Sequence, residues 1–441
     1  MRKYDLATYP VNKLVMKYMV PSIAAMLGLS ACIFFDTLFV GMGVGDMGIA
    51  GLNIAVPIYN FYNSIGYLLG IGGATTMSIA IGREEHNKVN FIFTLSILFS
   101  IIIAMLFTLG GLFIINPICR FLGASEEILP LVKQYLRTIM IASPLFIVSI
   151  TLNVFVRNDK APKLAMAAII LGNISNIIFD YIFIIPLKMG MMGAALATVT
   201  APIVSILVLI THFTRQNNTV KLNFSKLNFE PTFKIFNNGV SSLVMELSAG
   251  LIIFAFNLTV FSIKGEIGVS AYGIIANLAM IVTAIFYGMS QAIQPVLSYN
   301  HGAQNNERIK ETFSFAKKIA LVSGVFFLII VSLFAKELTG LFTKDKGELF
   351  INTTKGLRIY FIAFIFAGTN ILTITFFQSI EQSKNALIIS TLRGIALVMV
   401  LLLILPRNFG IDGVWMTIPL AELMTFIVSI ILVRTYEVKH K

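Results

Sequence analysis

The sequence predicts an all-α polytopic membrane protein of twelve transmembrane helices, arranged as two six-helix lobes related by a parallel internal repeat. Three observations carry this prediction. Of 441 residues, 57% are hydrophobic and only 12% charged, about half the charged share of an ordinary globular chain, so the solvent is a bilayer. Apolar runs long enough to cross it, roughly 20 residues at about 1.5 Å each, recur along the whole length. The second half then repeats the first at an offset of about 220 residues.

The apolar runs lie near residues 18–44, 50–78, 91–115, 134–156, 164–187 and 190–213, and again near 235–262, 268–297, 313–335, 358–379, 386–406 and 413–433. A polar, basic linker at 215–234 separates an N-terminal lobe, 1–214, from a C-terminal lobe, 235–441. Each lobe has an even number of spans, so the second enters the membrane from the same side as the first and the repeats are parallel. Pro186, Gly190 and Gly193 return as Pro406, Gly410 and Gly413, and Leu136-Arg137 returns as Leu357-Arg358. Gly82 returns as Gly302, and Val20-Pro21-Ser22 as Val240-Ser241-Ser242. Scattered matches at one constant offset indicate duplication, a common origin of transporters.

The net charge of +12 would fit nucleic acid binding, but its distribution excludes that reading. Lys and Arg concentrate in the segments on the N-terminal side of the membrane, which the positive-inside rule makes cytoplasmic. Both termini are therefore expected in the cytoplasm of a prokaryotic cell, with the chain in the plasma membrane and in contact with anionic lipid. The outer segment 336–348 departs from the rule, with Lys336, Lys344 and Lys346 set among acidic neighbours. Lys13, Lys17 and Leu29-Ser30-Ala31-Cys32 imitate a lipoprotein signal, but the chain stays hydrophobic beyond Cys32 and no cleavage is expected. Cys119 falls near an outer loop, out of reach of the intramembrane Cys32.

No G-x-x-x-x-G-K-[ST] phosphate loop occurs, so a gradient rather than ATP hydrolysis must supply the energy. His86, His212, His301 and His440 fall in loops or at helix ends without metal-binding spacing. No organic or covalent cofactor and no enzymatic activity are expected; a membrane-embedded enzyme would need a nucleophile or metal motif beside its carboxylates.

What remains is a set of acidic residues inside apolar runs: Asp36, Asp180, Glu246 and Glu422. A carboxylate at mid-membrane costs a few kcal/mol on insertion scales and persists when paired, protonated or functional. Counting about 1.5 Å per residue from Asp46 and Lys188 puts Asp36, Asp180 and Thr198 at one depth, roughly 12 to 15 Å from the outer end. Asn176 precedes Asp180 by one helical turn, and Asn173 continues the stripe. Asp36, Asn176, Asp180 and Thr198 thus form an oxygen-rich pocket suited to Na+ or to a proton. Their counterparts in the second lobe are Phe256 or Asn257, Leu397, Leu401 and Ile418, all but one of them apolar.

In the second lobe, Glu246 lies twelve residues past Lys234 and Arg393 nine past Lys384. Equal depth predicts a structural ion pair between them. Glu422 has no partner nameable from sequence and is a candidate substrate contact. Thirty-seven Phe, thirteen Tyr and nineteen Met suffice for an adaptable apolar cleft, with Tyr59, Tyr62, Tyr287 and Met289 among the candidates for its wall.

Across nearly its whole length the chain resembles the multidrug and toxic compound extrusion (MATE) transporters. The resemblance rests on twelve spans in two lobes, Pro21 fifteen residues before Asp36, the Gln294-Pro295 to Gly302-Ala303 stretch, and Asn176-x-x-x-Asp180 followed by Thr198. It is nearest to the branch whose acidic cation site lies in the N-terminal lobe. It implies monomeric efflux of lipophilic organic cations by alternating access, driven by entry of Na+ or H+, and with it antibiotic resistance. A lipid-linked precursor flippase of related architecture is the alternative, and would require a basic cleft for its diphosphate.

Overall fold

The computed structural model describes residues 5–214, 218–223, 229–343 and 347–439; Lys344, Lys346, His440 and parts of the 215–234 linker lie outside them. The first half folds as α1 (Val11–Gly43), α2 (Asp46–Gly82), α3 (His86–Phe113), α4 (Ile115–Phe121), α5 (Leu129–Ile141), α6 (Ser143–Asn158), α7 (Pro162–Ile184) and α8 (Gly190–Ile210). The second half folds as α9 (Thr232–Gly302), α10 (Asn306–Leu333), α11 (Ala335–Gly340), α12 (Glu348–Tyr360), α13 (Phe364–Ser379), α14 (Ser383–Thr391) and α15 (Leu397–Lys439). No strand occurs among the described residues.

These helices make twelve spans. Gly265 (φ 58°) divides α9 and Gly410 (φ 57°) divides α15 into two spans each. Helices α5 and α6 form one span bent by 52°, where the sequence predicts a single unbroken run; Pro144 starts the second piece and cannot continue the first. Helices α12 and α13 meet at a 3-10 turn, Phe361–Ala363, and α14 enters α15 through a π turn, Leu392–Ala396.

The duplication is visible in the backbone itself. Left-handed residues recur at the repeat offset as Gly45 and Gly265, Glu84 and Gln304, Lys160 and Glu381, and Gly190 and Gly410. Left-handed backbone is costly for any residue but glycine, so its return at the same turns, even on Glu, Gln and Lys, reports one chain path used twice. The short helices α4 and α11 recur in the same way.

Two hydrophobic cores result, and they exchange ends. The second-lobe core takes in Leu14, Val15, Tyr18 and Met19 from the start of α1, while the first-lobe core takes in Ile235 from the start of α9.

At the end of the bundle that carries the linker, the lobes meet main chain to main chain. A Cβ on Gly239 would lie 1.9 Å from the Leu68 carbonyl oxygen, one on Gly72 1.9 Å from that of Ile235, and one on Gly302 2.1 Å from that of Ile79. Only glycine permits such an approach. A buried polar layer reinforces the seam. Arg157 donates to Gln291 Oε1 at 2.6 Å, Asn158 to Gln294 Oε1 at 2.8 Å, and Gln294 to Thr75 Oγ1 at 2.8 Å.

Beyond the seam, Glu381 in the α13–α14 turn accepts Arg83 from the other lobe at 2.7 Å, with Lys234 and His301 at 3.7 and 3.8 Å. His301, Arg83 and Lys234 together hold its carboxyl down to about 2. A carboxyl depressed in the fold contributes stability above its ordinary range and loses it as pH falls toward 2, so the latch stays closed across the cellular range.

Spin labels at the exposed Lys163 and Lys384 positions, one per lobe, should report this closure. Gly302→Ala should lengthen and broaden their separation, because the obstructing atom is a backbone oxygen. Glu381→Gln should do so to a smaller extent, and an unchanged distance in Gly302→Ala would show that the seam does not set the lobe spacing.

Candidate functional site

Helix α1 sets Cys32 and Asp36 one turn apart on the same face, and α7 does the same with Asn173, Asn176 and Asp180. The two faces meet. Cys32 Sγ donates to Asn176 Oδ1 at 2.7 Å, and Asn176 Nδ2 donates to Asp180 Oδ2 at 3.2 Å. The carboxyl groups of Asp36 and Asp180 lie within hydrogen-bonding reach of each other. Two carboxyl groups this close hold a shared proton or a cation between them. Asp180 is buried, and apart from the facing Asp36 carboxyl its Oδ1 has no hydrogen-bond partner among the described residues, so a proton or a cation there would satisfy a costly buried acceptor.

Beside these groups lies a cavity of about 360 Å³, walled mainly by the first lobe and closed on one side by Glu246 and Gln291 of α9. Asp36, Asn176 and Thr198 stand in its wall with Tyr59, Tyr135 and Arg157, while Asp180 sits behind them. Thr198 Oγ1 bonds its own helix at Ala194 O and lies 3.4 Å from the Tyr135 hydroxyl. It therefore shares the cavity with the acids but makes no direct hydrogen bond to them. Asn173 also lines the cavity, and its Nδ2 has no partner.

A second cavity of about 190 Å³ lies between the lobes and shares Met26, Tyr67, Gln291 and Glu246 with the first. Tyr287, Met280 and Met245 line it. Of the wall candidates, Tyr59 and Tyr287 line cavities, whereas Tyr62 and Met289 are buried in the two cores.

The expected pairing of Glu246 with Arg393 is corrected. Arg393 Nε lies 2.7 Å from Glu422 Oε1. Asn370 Nδ2 donates to Glu422 Oε2 at 2.7 Å and to its carbonyl oxygen at 2.9 Å, and Ser429 donates to Asn370 Oδ1 at 3.3 Å. Depth counted from loop charges fixes height but not direction around a helix, and the π turn carrying Arg393 alters the helical register. Glu422 is thereby accounted for as a structural partner. Glu246 has no hydrogen-bond or ion-pair partner among the described residues and stands at the junction of the two cavities.

Sequence reasoning also passed over Cys32, set aside as part of a false signal, and Tyr135. The first had a readable mark, since it lies one turn before Asp36 on an apolar helix. The second had none, because its contact with Thr198 depends on how α5 packs on α8.

Removing either partner of the buried pair, by Arg393→Met or Glu422→Gln, should destabilise the protein by about 3–5 kcal/mol, and removing both should cost less than the sum. A denaturant double-mutant cycle should find coupling between Arg393 and Glu422 and none between Arg393 and Glu246. The reverse pattern would restore the original pairing.

Comparison with known proteins agrees with this architecture. The MatE family profile matches twice, over residues 21–182 and 242–404, which are the two halves at the repeat offset. The multidrug export protein MepA of Staphylococcus aureus strain MSSA476 is 26% identical over 438 residues, covering 98% of this chain and 95% of its own. MepA of Staphylococcus saprophyticus is 25% identical over 417 residues, covering 93% and 92%. An outward-facing multidrug resistance MATE family transporter superposes with a TM-score of 0.93 at 22% identity, covering 99% of this chain and 98% of that one. With its profile matched in both lobes and the same twelve-helix fold around the cavities, the chain belongs to the MatE family of membrane transporters.

Proposed function

We propose that this protein exports lipophilic organic cations across the plasma membrane by alternating access, exchanging them for Na+ at Asp36, Asn176, Asp180 and Thr198. The observation that carries the reading is the facing pair Asp36 and Asp180 in one lobe only, with the Asp180 Oδ1 acceptor left open beside a cavity. The export activity named for the staphylococcal relatives supports it. So does the lobe arrangement: the linker end, cytoplasmic by its positive charge, is sealed by the glycine seam.

Glu246 is the substrate's carboxylate in this scheme. It stands unpaired between Tyr67, Tyr287, Met26 and Met280, where aromatic faces and thioethers accept organic cations of varied shape. A diphosphate-carrying lipid suits the cavity poorly, since its basic residue Arg157 is already bonded to Gln291 and its other charges are acidic. On this reading the coupling ion is the one cofactor and the monomer is the working unit.

The coupling ion turns on the neutral oxygens. Sodium requires several, and Asn176 Oδ1 and Thr198 Oγ1 are the ones at hand. In the arrangement observed, Asn176 Oδ1 accepts from Cys32, so a sodium ion would displace that thiol. Sodium and protons compete for Asp36 and Asp180 on this reading, and each gradient is effective only insofar as its ion binds the two lobe arrangements unequally.

In proteoliposomes, Asp36→Asn and Asp180→Asn should insert normally and lose uphill export of a cationic dye. Near wild-type transport by both would sink the site assignment. A sodium gradient at equal pH with the potential clamped should drive export; if only a pH step does, the proton is the coupling ion. Cys32→Ala, which frees Asn176 Oδ1, should lower the sodium concentration for half-maximal export several-fold and leave proton-driven export unchanged. A variant indifferent to sodium would remove Asn176 from the ion site.

A further inference from the structure

The repeat places the same kind of groove in both lobes, and only one of the two is filled. In the first lobe α3 and α8 both pack on α6, and the groove between them holds the linker. Phe213 stacks on Phe93 at 5.5 Å, Val220 is fully buried, and the backbone N–H groups of Lys221 and Asn223 donate to Asn90 Oδ1 at 2.8 Å and Thr94 Oγ1 at 2.9 Å. In the second lobe α10 and α15 pack on α13 with the same floor. The Phe93–Phe155 contact at 5.1 Å returns as Phe313–Phe376 at 4.4 Å. There a cavity of about 500 Å³ stays open between Phe313, Phe376, Phe426, Leu321 and Val433.

The polar residues of the two grooves differ in kind. Asn90 becomes Lys310, and the apolar Ile97 and Leu98 become Lys317 and Lys318. All three lysines line the open groove, opposed by one carboxylate, Glu437. A lysine ammonium only donates hydrogen bonds. It cannot receive a backbone N–H as Asn90 does, so the backbone pairing that seats the linker is not repeated at this position. The groove asks for an acceptor-rich, negatively charged head attached to an apolar body.

Its position supplies one. Helix α10 has 28 residues, about 42 Å against a hydrocarbon core of about 30 Å, so its first turns reach the headgroup layer at the linker end. Lys310 lies in the second turn. Lys317 is two turns deeper, half-buried, with its ammonium 5.2 Å from the Phe313 ring centre, in the manner of a side chain whose stem lies along apolar surface while its charge reaches back toward water. We infer that this groove binds one anionic phospholipid of the linker-side leaflet, its phosphate on Lys310, Lys317 and Lys318 and an acyl chain along Phe313, Phe376 and Phe426, in the place the linker fills in the other lobe.

The test is native mass spectrometry of the full-length protein, titrated in detergent with phosphatidylglycerol, phosphatidylcholine of the same chains, glycerol phosphate and inorganic phosphate. One saturable phosphatidylglycerol should be retained, with phosphatidylcholine held weakly and neither soluble phosphate displacing it. Lys310→Gln, Lys317→Gln and Lys318→Gln should each weaken binding about fivefold, and the triple variant on the order of a hundredfold. The same exchange at Lys88 and Lys163, outside the groove, should change nothing. Wild-type retention by the single and triple variants would overturn the inference. Equal retention of phosphatidylcholine, or displacement by inorganic phosphate, would overturn it as well. Melting curves without lipid should coincide for wild type and triple variant; should the triple variant misfold, the three single variants decide.

Discussion

The main-chain contact at Gly72, Gly82, Gly239 and Gly302 is the constraint on which the rest of the molecule depends. Backbone atoms can approach only where no side chain intervenes, and here they approach from both lobes at once. Within a membrane such a seam needs no apolar driving force; close packing and buried hydrogen bonds hold it, as between other transmembrane helices. The layer formed by Arg157, Asn158, Gln291, Gln294 and Thr75 supplies those bonds. With the linker end shut in this way, the cavities of the first lobe and the lobe junction lie above a closed floor.

Duplication gave the lobes one backbone and then allowed their interiors to diverge. The second lobe buries the charge pair Arg393 and Glu422, with Asn370 Nδ2 donating to the Glu422 carboxylate and to its backbone carbonyl. A buried charge held by an opposite charge resists change, because removing either partner strands the other. The first lobe sets the partly buried Asp36 against the buried Asp180 with no cation bonded to either among the described residues, and Asp180 Oδ1 receives no donor. Groups in that condition respond to whatever ion arrives, which is the property a coupling site requires and a scaffold avoids. The same division appears at the two lateral grooves, one plugged by peptide and one lined by lysine.

How much of this was legible in the sequence follows from what periodicity and depth can encode. Twelve apolar runs and the glycines between them locate the spans, and Gly265 and Gly410 mark breaks inside two long helices because left-handed backbone favours that residue. The bend before α6 carried a signal in Pro144, whereas the 3-10 turn at Phe361–Ala363 has neither Pro nor Gly to announce it. Asp36, Asn176 and Asp180 were readable as neighbours because they share a depth and a spacing of one turn. Arg393 was misassigned because two residues at equal depth on different helices face each other only if packing turns them so. The glycine seam was invisible for a related reason: Gly72 and Gly239 look like ordinary helix glycines until their helices are laid side by side.

One helix connects the site to the seam. Asp36 and Cys32 belong to the far half of α1, while Ile23, nine residues before Cys32, packs under Gly288 of the other lobe, where a Cβ would lie 2.6 Å from the Ile23 Cα. Pro21 sits between that contact and the helix start, removing one backbone hydrogen bond and so loosening the helix locally. On the proposed reading, an ion drawn between Asp36 and Asp180 would act on the same helix that packs against the other lobe at Gly288. Packed contacts of this kind are bistable rather than continuously deformable, so on that reading the Ile23–Gly288 contact is the one a displacement of α1 would keep or break. A coupling ion need only prefer one of them to shift the balance between the two lobe arrangements.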